Sequence, residues 1–178
     1  HTVMLLSPWG APTPLTRAWC LWELHCTVET DSSFSVCLGP AEQDALEAAI
    51  LGNSSGYERV LAAFAAVDVG SAEAGNERDK VMIMEHAERS EGGLQGLNAT
   101  AVSTLRRWFV GFVVGLGRRA RAQGGAEGAG AMLAVGSALN QLGAVEESIE
   151  LYGAAAAAYE AEDDEGNAAV ARYNLANL

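Results

Sequence analysis

Glu23 is the residue of this chain whose type and setting could do chemistry. On a helix over 15–30 it shares one face with Trp19, Trp22 and Cys26, at i, i+3, i+4, i+7 spacing. Leu21, Leu24 and Val28 fall on the other face, so the helix is apolar nearly all round and is expected to be buried. A carboxylate carried into that environment must be paired or hydrogen-bonded, or its pKa rises until it is neutral. Two roles are open to Glu23. In a cleft beside Trp19 it could face a ligand and stabilise positive charge that develops there. At the edge of a core it could pair with an arginine or hydrogen-bond a loop. The residues favour this second role, because burial perturbs carboxylates at structural positions too.

Other reactive types are present without a supporting pattern. Cys20, His25, Cys26 and Cys37 fit no paired ligand spacing, and His25 lies one helical step from Cys26; they read as buried structural groups rather than zinc ligands. His86 beside Glu85 lacks the second histidine of a metalloprotease helix and reads as surface. No Gly-x-x-x-x-Gly-Lys loop is present, Gly115-Leu116-Gly117 is a weak glycine pair, and no Ser-His-Asp arrangement is suggested by spacing. Arg106, Arg107, Arg118, Arg119 and Arg121 form a basic cluster. They could contact phosphate or a membrane surface. The favoured reading is the solvated face of a helix, with cations near its C-terminus complementing the dipole. The cluster could also face the acids Glu146, Glu147, Glu150 and those of 160–165.

Composition narrows the classes. The 178 residues suffice for one ordinary domain, or a small domain plus a repeat pair, and 49% hydrophobic content is ample for a core. A formal charge of −12 and a pI near 4.5 argue against nucleic acid or an anionic membrane as a general partner. Three cysteines beside apolar elements read as reduced thiols of a cytoplasmic protein. The longest apolar run, Trp108 to Leu116, is too short for a membrane span, and no signal peptide is evident. The sequons at Asn53 and Asn98 carry no meaning in that compartment. The chain opens without Met, almost directly in an apolar strand, and is expected to be a fragment cut at both ends.

The elements that must position these residues follow in order. Strands are expected at 3–7 and at Phe34 to Leu38, with a short third at Val67-Asp68-Val69. Helices are expected at 15–30, Ala41 to Leu51 and Tyr57 to Ala66, with a turn over 52–56; this order suggests a parallel α/β layer. After a loop at 72–76, Glu77 to Arg89 returns to helical spacing through Val81, Met84 and Ala87 or Glu88, until Gly92-Gly93 breaks it. Asn98 can cap a long helix from Ala99 to about Arg121, with Val102, Leu105, Phe109, Phe112, Val113 and Leu116 on its apolar side. The glycines of 123–130 read as a linker. Ala131 to Leu142 and Val145 to Glu162 read as helices joined at Gly143, and Ala168 to Leu178 starts a third. Val135-Gly136-x-Ala138 recurs as Leu175-Ala176-x-Leu178, 40 residues on, a period typical of solenoid arrays.

Three resemblances arise from these residues. Trp19-Cys20-Leu21 followed by Glu23-Leu24, between two strands, resembles the fourth-helix signature of TIR domains, with Arg17 where that signature has Ser. The resemblance implies a nucleotide pocket in which Glu23, beside Trp19, assists cleavage of the nicotinamide-ribose bond of NAD; the loops it needs from the first half of that domain are not in this chain. The run from Val3 to about Trp108 also resembles a module of large algal and protist proteins that precedes tetratricopeptide repeats. Gly136, Leu139, Gly143, Ser148, Ile149, Tyr152 and Ala155 resemble such a repeat, and Tyr173-Asn174-Leu175-Ala176 with the 40-residue spacing resembles its kinesin-light-chain subtype.

The expected architecture is a partial, TIR-like α/β module over 1–70, a helical extension over 71–122, the linker, and an all-α repeat solenoid over 131–178, mostly helical overall. The expected function is a protein-interaction scaffold that binds a protein or peptide on the concave side of the repeats, with no metal, no cofactor and possible self-association. The alternative is an NAD-cleaving enzyme with Glu23 as its key carboxylate and the repeats as a sensor or oligomerisation arm.

Overall fold

A computed structural model describes residues 1–52 and 55–178; the expected turn over 52–56 and the Asn53 sequon fall partly outside them. Among the described residues the chain is mostly helical, with eight α-helices and one two-stranded sheet. It divides into two compact units, residues 1–46 with 58–108, and residues 47–57 with 109–178.

In the first unit, β1 (Thr2–Leu5) and β2 (Phe34–Cys37) pair in parallel, Thr2 opposite Phe34 and Leu5 opposite Cys37. Between them lie a 3-10 turn (Thr13–Thr16) and α1 (Ala18–Glu29). No side chain caps α1. Its first amide is satisfied instead by a distant strand-like bridge: Ala18 N–H donates to the Glu73 carbonyl (2.9 Å), and Glu73 N–H donates to the Thr16 carbonyl (2.8 Å). The buried face of α1 is Ala18, Leu21, Leu24 and His25, whereas Trp19 and Val28 are 37% and 40% exposed and Glu23 is exposed. The expectation of a helix buried all round is therefore corrected. One face is in the core, and the tryptophans lie along its border. Trp19 Nε1 donates to Asp79 Oδ2 (3.3 Å), and the Trp22 ring lies 5.4 Å from His25 and 6.1 Å from His86.

The rest of this unit comes from parts of α2 (Pro40–Gly52), α3 (Ser55–Ala65) and α5 (Gly93–Gln123), and from α4 (Glu77–Arg89). The core face of α4 is Ile83 and Ala87; Ala87 lies where the spacing placed it, whereas Val81, expected on that face, is 49% exposed and Ile83 takes its place. The expected strand at 67–69 is absent. Val67 and Val69 are buried, but the Val69 N–H donates to Asn98 Oδ1 (2.9 Å) instead of to a ladder. Asn98 is accordingly no cap. The long helix begins at Gly93, and Asn98, in its second turn, holds the 68–71 turn by accepting from Val69 and donating to Asp68 (3.3 Å). Asn98→Ala leaves the buried Val69 amide unpaired and should cost about 1–3 kcal/mol in urea unfolding. An unchanged midpoint would contradict this role.

The second unit contains the end of α5 with α6 (Gly125–Leu142), α7 (Val145–Ala161) and α8 (Glu165–Ala176). Here α5 buries Phe109, Val113, Leu116 and Ala120 at spacings of four, three and four. The residues read as a linker over 123–130 are helical from Gly125, and the chain turns at Gly124 (φ 68°). Beyond it Gly128 serves close approach, since a Cβ there would sit 2.6 Å from the Ala120 carbonyl oxygen.

Helices α6 and α7 are antiparallel neighbours, since Tyr152 meets Gly136 and Ser137 while Tyr159 meets Gly130. A Cβ at Gly136 would lie 2.9 Å from the Tyr152 ring, Tyr152 Oη pairs with Ser137 Oγ (3.0 Å), and buried Ser148 donates to the Gly136 carbonyl (2.8 Å). Helix α8 packs on α7, where Arg172 pairs with Glu160 and Glu165.

Asp164 caps α8. Its carboxyl is held below the ordinary 3.8 first by the Asn167 side-chain amide and then by the Asn167 N–H. A lowered carboxyl pKa means that the cap is at full strength at neutral pH and is lost as pH falls through the lowered value. The Asn167 amide shift should follow that titration; a midpoint above 3.8 would contradict it.

Candidate functional site

Beside β1 lies a groove of about 490 Å³. Thr2, Val3, Met4, Leu5 and Ser7 form one wall; Trp19, Cys20 and Glu23 of α1 form the other; Thr13, Pro14 and Arg17 close one end. Glu23 and Trp19, singled out from sequence, thus share one site, and Arg17 and Cys20 join them. Glu23 is exposed there, which corrects the expectation that α1 carries it into a buried setting.

The direction of α1 follows from two contacts. Thr27 Oγ1 lies 2.7 Å from Thr2 Oγ1, at the start of β1. At the other end the Thr13 N–H donates to the Ser7 carbonyl (3.3 Å), just before the 3-10 turn that leads to Arg17. Helix α1 therefore runs opposite to β1. Glu23, which also lines a shallow depression with His1 and Thr2, sits at the N-terminal end of the strand, and Arg17 sits at the C-terminal end. Among the described residues neither charge is in an ion pair.

Burial raises the Cys20 thiol pKa, the Glu23 carboxylate raises it further, and Arg17 opposes them. A thiol so held stays protonated and is a poor nucleophile. Iodoacetamide at mildly alkaline pH should label exposed Cys37 well before Cys20, with the order read by mass spectrometry; prior labelling of Cys20 would contradict the groove's electrostatics. Cys26 is raised as well, by burial and then by Glu29.

His25 is 3% exposed, and its Nδ1 has no partner in the core beneath Trp22. His86 is exposed, with Nδ1 2.8 Å from the Met82 carbonyl oxygen. Among the described residues no three His, Cys, Asp or Glu side chains could hold a metal ion. The arginine cluster is split between the units. Arg107 lines a second groove of about 400 Å³ with Asp31, Thr104 and Trp108, and Arg119 pairs with Glu47 at 2.5 Å.

The sequence reading missed Arg17 and the open edge of β1. In the sequence Arg17 stands out only as a departure from a motif. The edge had a signal in the apolar run Val3 to Leu6, whose outward half, Val3 and Leu5, is 57% and 55% exposed. Among the described residues no helix is long and apolar enough to cross a membrane. No family model, curated protein or solved structure matches the chain.

Proposed function

We propose that this chain is a protein-interaction scaffold whose binding element is the helical array of α6, α7 and α8, a tetratricopeptide-like repeat of the kinesin-light-chain kind. The observation that carries this reading is periodicity in three dimensions. Two antiparallel helices are joined by a two-residue turn, and the next helix starts at Glu165, 40 residues after Gly125. That is the unit from which concave peptide-binding surfaces are built. Charge defines the partner. From 125 to 178 the acids Glu127, Glu146, Glu147, Glu150, Glu160, Glu162, Asp163, Asp164 and Glu165 face one base, Arg172, which suits a basic peptide. Tyr173, 69% exposed on α8, is the aromatic anchor of this reading. A cytoplasmic setting is part of this proposal and rests on the odd number of cysteines; the burial expected of them is corrected, since Cys20 and Cys26 are half-buried and Cys37 is exposed.

The test is selection of short random peptides against the chain, followed by titration of the recovered sequences. Lys- and Arg-rich peptides should emerge, and Tyr173→Ala should weaken their binding about tenfold or more. Absence of enrichment, or affinities indifferent to Tyr173, would contradict the reading.

One observation favours the second reading, NAD cleavage in a TIR-like pocket: Glu23, Trp19 and Arg17 line a single groove large enough for a small ligand. In that reading Glu23 binds ribose hydroxyls, Trp19 packs against the nicotinamide ring and Arg17 faces phosphate. NAD binding, followed by calorimetry, that Glu23→Ala abolishes would support it, and no NAD binding by the unaltered chain would set it aside.

A further inference from the structure

We propose that the groove along β1 is a self-association site, filled by β1 of a second copy in antiparallel pairing about a two-fold axis. The backbone carries the first part of the argument. Thr2 N–H donates to the Ser33 carbonyl (2.9 Å) and Leu6 N–H to the Cys37 carbonyl (3.0 Å), so the even residues of β1 face β2. In a parallel pair the intervening residues turn their N–H and C=O the other way. Val3 and Leu5 therefore direct their main-chain groups at the edge that no strand covers among the described residues, where the groove lies. An open edge of this kind is a template for another strand.

Symmetry sets the register. Placing Met4 opposite the partner's Met4 brings Val3 opposite the partner's Leu5, and Leu5 opposite the partner's Val3. Both are pairs of outward-facing residues, and each pair exchanges its two N–H···O bonds. The Val3 and Leu5 side chains, more than half exposed in one copy, then meet on one face of a four-stranded sheet, β2-β1-β1-β2.

Charge selects a second copy over an arbitrary strand. Glu23 stands at the N-terminal end of β1 and Arg17 at the C-terminal end. Antiparallel pairing brings Glu23 to the partner's Arg17 and Arg17 to the partner's Glu23, an isologous arrangement that closes on itself. The same groove cannot hold a nucleotide at the same time, so self-association and the second functional reading exclude each other there.

The experiment is sedimentation equilibrium of the chain and of two charge reversals, Glu23→Arg and Arg17→Glu. Both residues are exposed, so both variants should keep the native circular dichroism spectrum. The wild type should be a monomer–dimer system. Each variant alone places like charges at both ends of the strand pair and should weaken dimerisation at least about tenfold. Mixed in equal amounts, the two variants should form a heterodimer at least as tight as the wild type, because every end pair is again of opposite sign. Three results would overturn the proposal: a wild type that stays monomeric through the millimolar range, variants that each dimerise as the wild type does, or a mixture that fails to associate. A monomeric chain that instead takes up an extended peptide along β1 would also reject the second copy as occupant.

Discussion

Leu21→Ala should destabilise the first unit by about 2–5 kcal/mol, whereas Trp19→Ala and Glu23→Ala should each cost about 1 kcal/mol or less. Leu21 is fully buried, so its truncation leaves a cavity beneath α1. Trp19 is 37% exposed, with its indole N–H on a surface carboxylate, and Glu23 reaches the groove with no ion-pair partner among the described residues. Chemical denaturation of the three variants checks the order. Were Trp19 the costliest, the tryptophan face would be the core and the groove beside it would not exist. The contrast also bears on function, because a carboxylate whose removal leaves the fold intact is one whose loss can be read cleanly in binding or turnover.

Gly136→Val should part α6 from α7 at a cost of about 1–3 kcal/mol or more. Its Cβ alone would come within 2.9 Å of a Tyr152 ring that is 3% exposed and tied to Ser137, so the ring has nowhere to swing. Helix propensity by itself predicts the opposite sign, because almost any residue is better than glycine inside a helix. Gly153→Ala is the control: a Cβ there meets nothing within 4 Å, and the substitution should stabilise by about 0.5–1 kcal/mol. Opposite signs for two mid-helix glycines would establish that Gly136 is a contact. Stabilisation by both would show that the helices do not approach as closely as described.

These cases also show how far the sequence was legible. Local signals were sufficient where the backbone decides: the strand at Phe34, the helix from Glu77 to Arg89, and the stop at Gly143, which adopts φ 81°. They failed where a distant partner decides. Asn98 has the chemistry of a cap, but the Val69 amide 29 residues away claims it, which also removes the strand expected at 67–69. The glycines after Gln123 look like a linker until the Ala120 carbonyl is seen against Gly128. On α1, period alone offered two apolar faces, and only the sheet beneath chose between them. Glu23 and Trp19 share a site as their spacing implies, but the face that carries them borders solvent, and the buried face of α1 is Ala18, Leu21, Leu24 and His25. The parallel pairing of β1 and β2 matches the α/β layer read from element order, yet among the described residues that layer is two strands wide. The TIR and tetratricopeptide resemblances remain readings of motif and period.

The central claim is that α6, α7 and α8 carry the binding surface. The most direct measurement is an amide-shift footprint of a selected basic peptide on the isotope-labelled chain. Shifts should centre on residues 125–178 and include Tyr173, and Tyr173→Ala should weaken the affinity about tenfold or more. A footprint confined to β1, α1 and the groove between them would contradict it and move the working part of the molecule to the Glu23 site.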